Sequence, residues 1–535
     1  MTLVSVRGIA TRPRSNGAAV RPPLVLILGA LAVAIVALVP PVYLVVRVSD
    51  HPQAAVDAIF ARSTLELTVR TLAFAATVTA LATSIALPIA WLTERTDLPA
   101  RRLLAILAAA PLAVPTYVGA LVAISALGPG GLFEDLLGRP FPVPIYGFGG
   151  ATVVLALFTY PYLLLTIRPA IAALDPRTEE ASRGFGYGRW TTFRRVVLPQ
   201  LRPALSSGAL IVALYTLADF GAPSLMRFNS FTRVIFIRYE STFDRTGAAA
   251  LASVLALLAL AIVTLEIWTR GRRRYDAVRA RGAPTAAAIP LGRWRWPAVA
   301  FIGVVLSLTL ALPVGVLGYW LLRGLDANEA MRGLGDALGN TLLAAGLAAT
   351  ITAIAALPVA RLAVRHPRFP LTRPVEVLSY TGYALPGLVV ALALVFAGIN
   401  FGRLYQSLAM LIAAYALLFL PLAIGALRVS LLQVRPSIEE AARGLGRSQW
   451  NVLRTVTAPL TTRGILTAGA LVFLTTIKEL PATLILAPTG FDTLAVRVWS
   501  ASSEAFFARA AVPALMLLLL SSVPLVILEL TGRRR

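Results

Sequence analysis

Residues 179–199 read EEASRGFGYGRWTTFRRVVLP, and residues 439–459 read EEAARGLGRSQWNVLRTVTAP. Ten of these 21 positions are identical without a gap, at a spacing of 260 residues. A long-period repeat of this kind marks one structural unit present twice. The flanking sequence agrees. TLAFAATVTALATSIALP from Thr71 aligns with TLLAAGLAATITAIAALP from Thr341, which matches Pro88 to Pro358 at a spacing of 270. The extra ten residues of spacing fit a longer loop in the first copy, GPGGLFEDLLGRPFPVPIYG after Leu127.

Around this repeat the chain is strongly apolar. Of its 535 residues 58% are hydrophobic and 14% charged, with a mean hydropathy of +0.78. A soluble protein of this length needs more polar surface. Apolar runs of about 20 residues recur throughout, each long enough to cross a hydrocarbon core of about 30 Å. We read spans near 24–46, 69–92, 103–127, 149–167, 204–226, 248–269, 297–322, 341–363, 375–399, 407–427, 464–487 and 510–531. The fold class is therefore an all-α polytopic membrane protein with about 12 transmembrane helices in two parallel six-helix repeats. The units are a basic tail (1–23), a first half (24–270), a linker (271–296), a second half (297–532) and a basic end (533–535).

Twelve spans place both termini on one side, and the arginines identify that side. It carries about 35 Lys+Arg against about 11 Asp+Glu, while the other side has about 14 of each. The net charge of +24 thus lies on one face, which the positive-inside rule makes cytoplasmic. The predicted location is the plasma membrane (the bacterial inner membrane), multi-pass, with both termini cytoplasmic. The charge reports topology and no nucleic-acid partner, since no arginine cluster is interleaved with aromatics on a soluble domain. The absence of cysteine excludes disulfides and thiolate chemistry. The only histidines, His51 and His366, fall one on each side of the membrane, so no paired-histidine metal site is expected within the chain, and we assign no metal site and no catalytic residue.

Each repeated loop fits Glu-Ala-small, three residues, Gly, nine residues, then a β-branched residue shortly before Pro. The residues are Glu179, Glu180, Ala181, Gly184, Gly186, Trp190 and Pro199, with Glu439, Glu440, Ala441, Gly444, Gly446, Trp450 and Pro459 in the second copy. Helix formers lead to a glycine suited to a left-handed turn, which predicts two short helices at an angle. Trp190 with Phe193, and Trp450 with Leu453, supply an apolar edge at helical spacing. Pro199 and Pro459 suit the first turn of the next span.

This pattern resembles the EAA loop of ABC importer permeases of the binding-protein-dependent family. It departs only in Ala458, where leucine is usual before Pro459. The resemblance implies that these loops are coupling helices docked on two copies of a cytoplasmic ABC ATPase, with an extracytoplasmic substrate-binding protein on the other face. No GxxxxGK[ST] phosphate loop occurs in the chain. Cofactors are therefore none in this chain, with ATP and Mg bound by the partner ATPase. The chain is expected to be a pore-forming subunit and no enzyme.

After each loop a span ends in an acid followed by a helix breaker: LADFGAPSLM with Asp219, and IKELPATLIL with Lys478 and Glu479. Asp219 and Glu479 share the 260 spacing. Ionisable groups inside spans face the bundle interior and mark pathways. The same residues could instead fix the helix break, with Lys478 neutralising Glu479. These segments, with GFDTLAVRVW from Gly490, most resemble fused iron(III) transport system permeases. Thiamine, polyamine and phosphonate importers share the subfamily's shape, and a twelve-helix secondary transporter is the competing class.

Overall fold

A computed structural model describes residues 22–270, 288–326, 333–400 and 402–532. The basic tail, most of the 271–296 linker and residues 533–535 lie outside these. Among the described residues the regular structure is helical, apart from one isolated extended bridge between Thr96 and Ile289. Ten helices among them are long and apolar enough to span a membrane, and two shorter apolar helices complete the twelve apolar segments.

In the first half the spans are α1 (Leu24–Asp50), α2 (Arg62–Arg95), α3 (Thr116–Leu127), α4 (Phe148–Ala172), α5 (Leu198–Ala218) and α6 (Arg245–Arg270). Their counterparts are α7 (Gly292–Gly324), α8 (Leu334–Arg365), α9 (Gly387–Asn400), α10 (Leu408–Gln433), α11 (Ala458–Thr476) and α12 (Phe507–Gly532). At 34 residues α2 measures about 51 Å, longer than the hydrocarbon core. Its final turn therefore stands clear of the apolar zone, beside the repeated loop. Its counterpart α8 does the same.

Two predicted spans are corrected. The segments 103–127 and 375–399 are not continuous helices. The first breaks into Arg101–Ala109, a 3-10 turn Ala110–Ala113, and α3. The second breaks into Thr372–Ser379, Thr381–Ala384, and α9. The cause is a proline in each, Pro115 and Pro386. Proline offers no N–H and drives the residue before it out of the helical region. Val114 and Leu385 are accordingly extended, with ψ of 118° and 130°. Apolar content stays high across both breaks, so hydropathy alone hides them.

The halves exchange their first helices. The stripe Ala30, Ala34 and Ala37 of α1 packs into the core of the second half, with Ala344, Ala348 and Ala356 of α8. Small residues at this spacing let helix axes approach closely. In return Val316 and Leu317 of α7 lie in the first half's core with Val118 and Leu121 of α3. Each half thus completes the core of the other.

Candidate functional site

The two loops have the same backbone. Helices Pro176–Gly184 and Pro436–Gly444 end in matching caps. Gly186 N–H donates to the Arg183 carbonyl and Gly446 N–H to that of Arg443, both at 2.9 Å. Gly186 and Gly446 then turn the chain at φ of +82° and +80°. A Cβ at either would meet nothing within 4 Å, so backbone conformation and not space demands glycine. Gly184 and Gly444 are simply the last helical residues.

Each loop then enters a short helix, Arg189–Thr192 or Gln449–Val452. A π-helical turn follows, Phe193–Val197 or Leu453–Thr457, leading directly into α5 or α11. Pro199 and Pro459 fall in the first turn of these α-helices, and the widened turn before them accommodates the proline ring. Trp190 is 71% exposed and stacks on Phe193 at 5.7 Å, while Phe193 meets the edge of Trp91 at 5.2 Å. The side chains of Trp450 and Leu453 are outside the described residues. Phe185 and Leu445, between the repeated glycines, are 83% and 84% exposed. Two large apolar side chains are thus held out to solvent at equivalent points of the two loops. The sequence signal, an apolar residue in the same place twice, was available and missed.

Within each glutamate pair, the first residue anchors and the second points out. Glu180 and Glu440 are exposed, as are Ala181 and Ala441. Glu179 is buried and paired with Arg95 at the end of α2, with Arg183 at 3.6 Å. Glu439 is buried and accepts from Arg365, at the end of α8, at 3.2 Å and from the Thr457 hydroxyl at 3.0 Å. Arg95 and Arg365 are 270 residues apart, the spacing of Pro88 and Pro358, which is the signal by which the sequence could have revealed them. In the first loop the Ser182 and Thr192 hydroxyls meet at 3.0 Å and tie its two helices together.

At the far ends of α5 and α11 lie the acids, both half-buried. Asp219 Oδ1 accepts from the Thr116 hydroxyl at 2.7 Å, and Oδ2 accepts from the Ala222 N–H at 3.3 Å. Thr116 is the first residue of α3, so the carboxylate faces that helix's N-terminus. Glu479 Oε1 accepts from the Ala482 N–H at 3.3 Å and lies 2.6 Å from where a Gly387 Cβ would be. Gly387 opens α9. Each acid therefore sits at the N-terminal end of a proline-broken helix, where the helix dipole favours negative charge. The two carboxylates interact electrostatically with each other and with Tyr117, whose buried hydroxyl has no hydrogen-bond partner.

Lys478 does not pair with Glu479. Its ammonium donates to the Leu112 carbonyl at 2.9 Å, in the 3-10 turn before α3. The lysine therefore links the halves instead of neutralising the acid beside it. His51 lies exposed at the junction after α1. Among the described residues no group of three or more metal-ligating side chains occurs.

Comparison with known proteins now decides the family. Residues 82–270 and 352–535 each match the model of the binding-protein-dependent transport system inner membrane component. The chain belongs to that family. Both matches span a repeated loop and the acid that follows it. The Fe(3+)-transport system permease protein FbpB 2 of Haemophilus influenzae is 33% identical over 519 residues, covering 95% of this chain and 98% of that protein. The ferric transport system permease protein FbpB of Actinobacillus pleuropneumoniae is 28% identical over 410 residues, 70% of this chain and 59% of its own length. The sulfate transport system permease protein CysT of Escherichia coli is 34% identical over 188 residues, 33% of this chain and 67% of its own. The chain is thus a multi-pass permease subunit of a binding-protein-dependent importer, with two family units fused in one polypeptide.

Proposed function

We propose that this permease carries ferric iron across the inner membrane. The observation that carries the reading is the full-length match to an Fe(3+)-transport permease, which includes both halves in one chain. The site geometry supports it. Two carboxylates of equivalent position, Asp219 and Glu479, are near enough to act on each other electrostatically and offer negative charge to a cation. The shorter likeness to a sulfate permease favours a second reading, an oxyanion importer.

In this reading the basic side is cytoplasmic and holds both termini. Each repeated loop receives one copy of an ABC ATPase, which binds ATP and Mg. Phe185, Leu445 and Trp190 would be covered on docking, while Glu179 and Glu439 keep the loop attached to α2 and α8. The binding protein would rest on the opposite face, against helices Phe231–Glu240 and Leu494–Ser503. These occupy equivalent places after the acids and are opened by matching caps, Ser230 and Thr493.

The test is uptake in proteoliposomes holding the permease, its ATPase and its binding protein. Radiolabelled iron delivered on the binding protein should enter in an ATP-dependent manner. ATP-dependent entry of sulfate without iron would replace the first reading with the second.

A further inference from the structure

On the side away from the repeated loops, residues of both halves line an open-mouthed cavity of about 300 Å³. Phe220, the residue after Asp219, lines it and packs on Trp499 at 4.9 Å and on Phe236 at 4.7 Å. The polar lining divides by origin. Arg227, Arg233 and Ser224 come from the first half, and Ser502 and Ser503 from the second.

The two arginines have no carboxylate partner among the described residues. Arg233 donates to the Asn229 side chain, and Arg227 lies over the Tyr146 ring at 4.7 Å. Arg227 is the neighbouring charge that bears on half-buried Arg233, and it is repulsive. Arg227 is also held at φ +55°, a conformation uncommon for a residue with a side chain. The Ser224 hydroxyl is buried in the same place without a hydrogen-bond partner. Arg227 is exposed and Arg233 half-buried, so two guanidinium groups without a carboxylate, together with the partnerless Ser224 hydroxyl, leave donors free for a group of opposite charge.

We propose that this cavity binds a small free oxyanion of the phosphate or sulfate class between Arg227 and Arg233. Guanidinium forks match such oxygens two at a time. The Ser224 hydroxyl, which has no other partner, can donate to a remaining oxygen, whereas the Ser502 and Ser503 hydroxyls already donate to the Val498 and Ser500 carbonyls. The volume fits a small ligand. Binding does not depend on the cargo assignment. If the cargo is a cation, the oxyanion also offsets the arginine charge next to Asp219 and so eases entry.

The experiment uses the full chain in lipid nanodiscs, titrated with inorganic phosphate and with sulfate against chloride at matched ionic strength. Tryptophan fluorescence reads the cavity through Trp499, with Trp499→Phe identifying that signal. A saturable change is expected with either oxyanion. Arg227→Gln with Arg233→Gln should weaken it at least tenfold, while Arg227→Lys with Arg233→Lys, which keeps the charge, should retain part of it. If the glutamine pair fails to fold, the lysine pair alone decides, with weakened but saturable binding expected. No saturable response in the unmodified chain, an equal response to chloride, or unchanged affinity in either double variant would overturn the proposal. So would loss of binding-protein association in the variants without any free oxyanion binding, because a docking carboxylate would then be the true ligand.

Discussion

Replacing Glu439 by Gln removes the charge that holds the second loop to α8. The side chains of Arg365 and Glu439 are only 12% and 6% exposed, so solvent cannot take over the lost interaction. Arg365 would keep its 3.0 Å bond to the Val434 carbonyl, but its Nε is already buried without a partner. Breaking a buried pair from one side costs about 3–5 kcal/mol. The retained Val434 bond, and an amide oxygen able to accept from Thr457, place this case near 3 kcal/mol, about a hundredfold in the equilibrium for loop detachment. The cost falls on the loop, because Glu439 touches α8 and the loop's own exit helix but no span core. Hydrogen exchange should therefore accelerate about a hundredfold in residues 436–446 and stay unchanged in α10. ATP-driven uptake should fall in parallel. Replacing both partners by apolar residues, Arg365→Met with Glu439→Leu, should restore protection, since neither buried charge is then left alone. Unchanged exchange in the single variant would refute the anchoring argument.

Three further outcomes follow from the same geometry. Gly186→Val with Gly446→Val strains each turn by about 1–2 kcal/mol, so membrane level should persist while ATPase association and uptake are lost; survival of both would remove the docking role. Asp219→Asn with Glu479→Gln should sharply reduce iron uptake at normal membrane level, whereas truncation to alanine also loses the Ala222 and Ala482 caps, at about 1 kcal/mol each; normal uptake by the amide pair with failure of the alanine pair would make the acids scaffold only. Deleting residues 1–50 should expose α8 and α9 to protease before α2 and α4, because α1 covers the second half; equal cleavage of both halves would contradict the exchange.

Much of this architecture was legible because it is written twice. The loop, its glycine, the proline after it and the acid further on all recur at 260 residues, and two copies separate a pattern from chance. What stayed hidden has physical reasons. The breaks at Pro115 and Pro386 leave hydropathy unchanged, since proline acts on hydrogen bonding and backbone angle. Arg95 and Arg365 resemble ordinary positive-inside residues at span ends; their 270-residue spacing marks them as equivalent, but their partners, Glu179 and Glu439, show only in three dimensions. Lys478 beside Glu479 suggested mutual neutralisation, yet adjacent residues at a helix end point in different directions, and the lysine found a carbonyl across the interface. The exchange of α1 and α7 leaves no local trace at all, because a stripe of alanines says that a helix packs closely without saying on which neighbour.

These features connect the two ends of the molecule. From Arg189 to Ala218 the chain is one uninterrupted helical rod of 30 residues, about 45 Å long, with exposed Trp190 near one end and Asp219 capping the other. The second half repeats it from Gln449 to Thr476, leading to Glu479. Helical hydrogen bonding continues through the π-helical turn and past Pro203, so the chain runs from loop to acid without an intervening coil, and displacement of the loop can be passed along it. The acids face α3 and α9, which begin at proline breaks and so can shift apart from the helices before them. Lys478 adds a cross-half tie to the turn preceding α3. Displacing the loops therefore changes three things together: the separation of the carboxylates, their alignment with the two helix N-termini, and the lysine tie between the halves. If the acids meet cargo and the loops receive the ATPase, as proposed, two helical segments that run without a coil from loop to acid let the two sites move together.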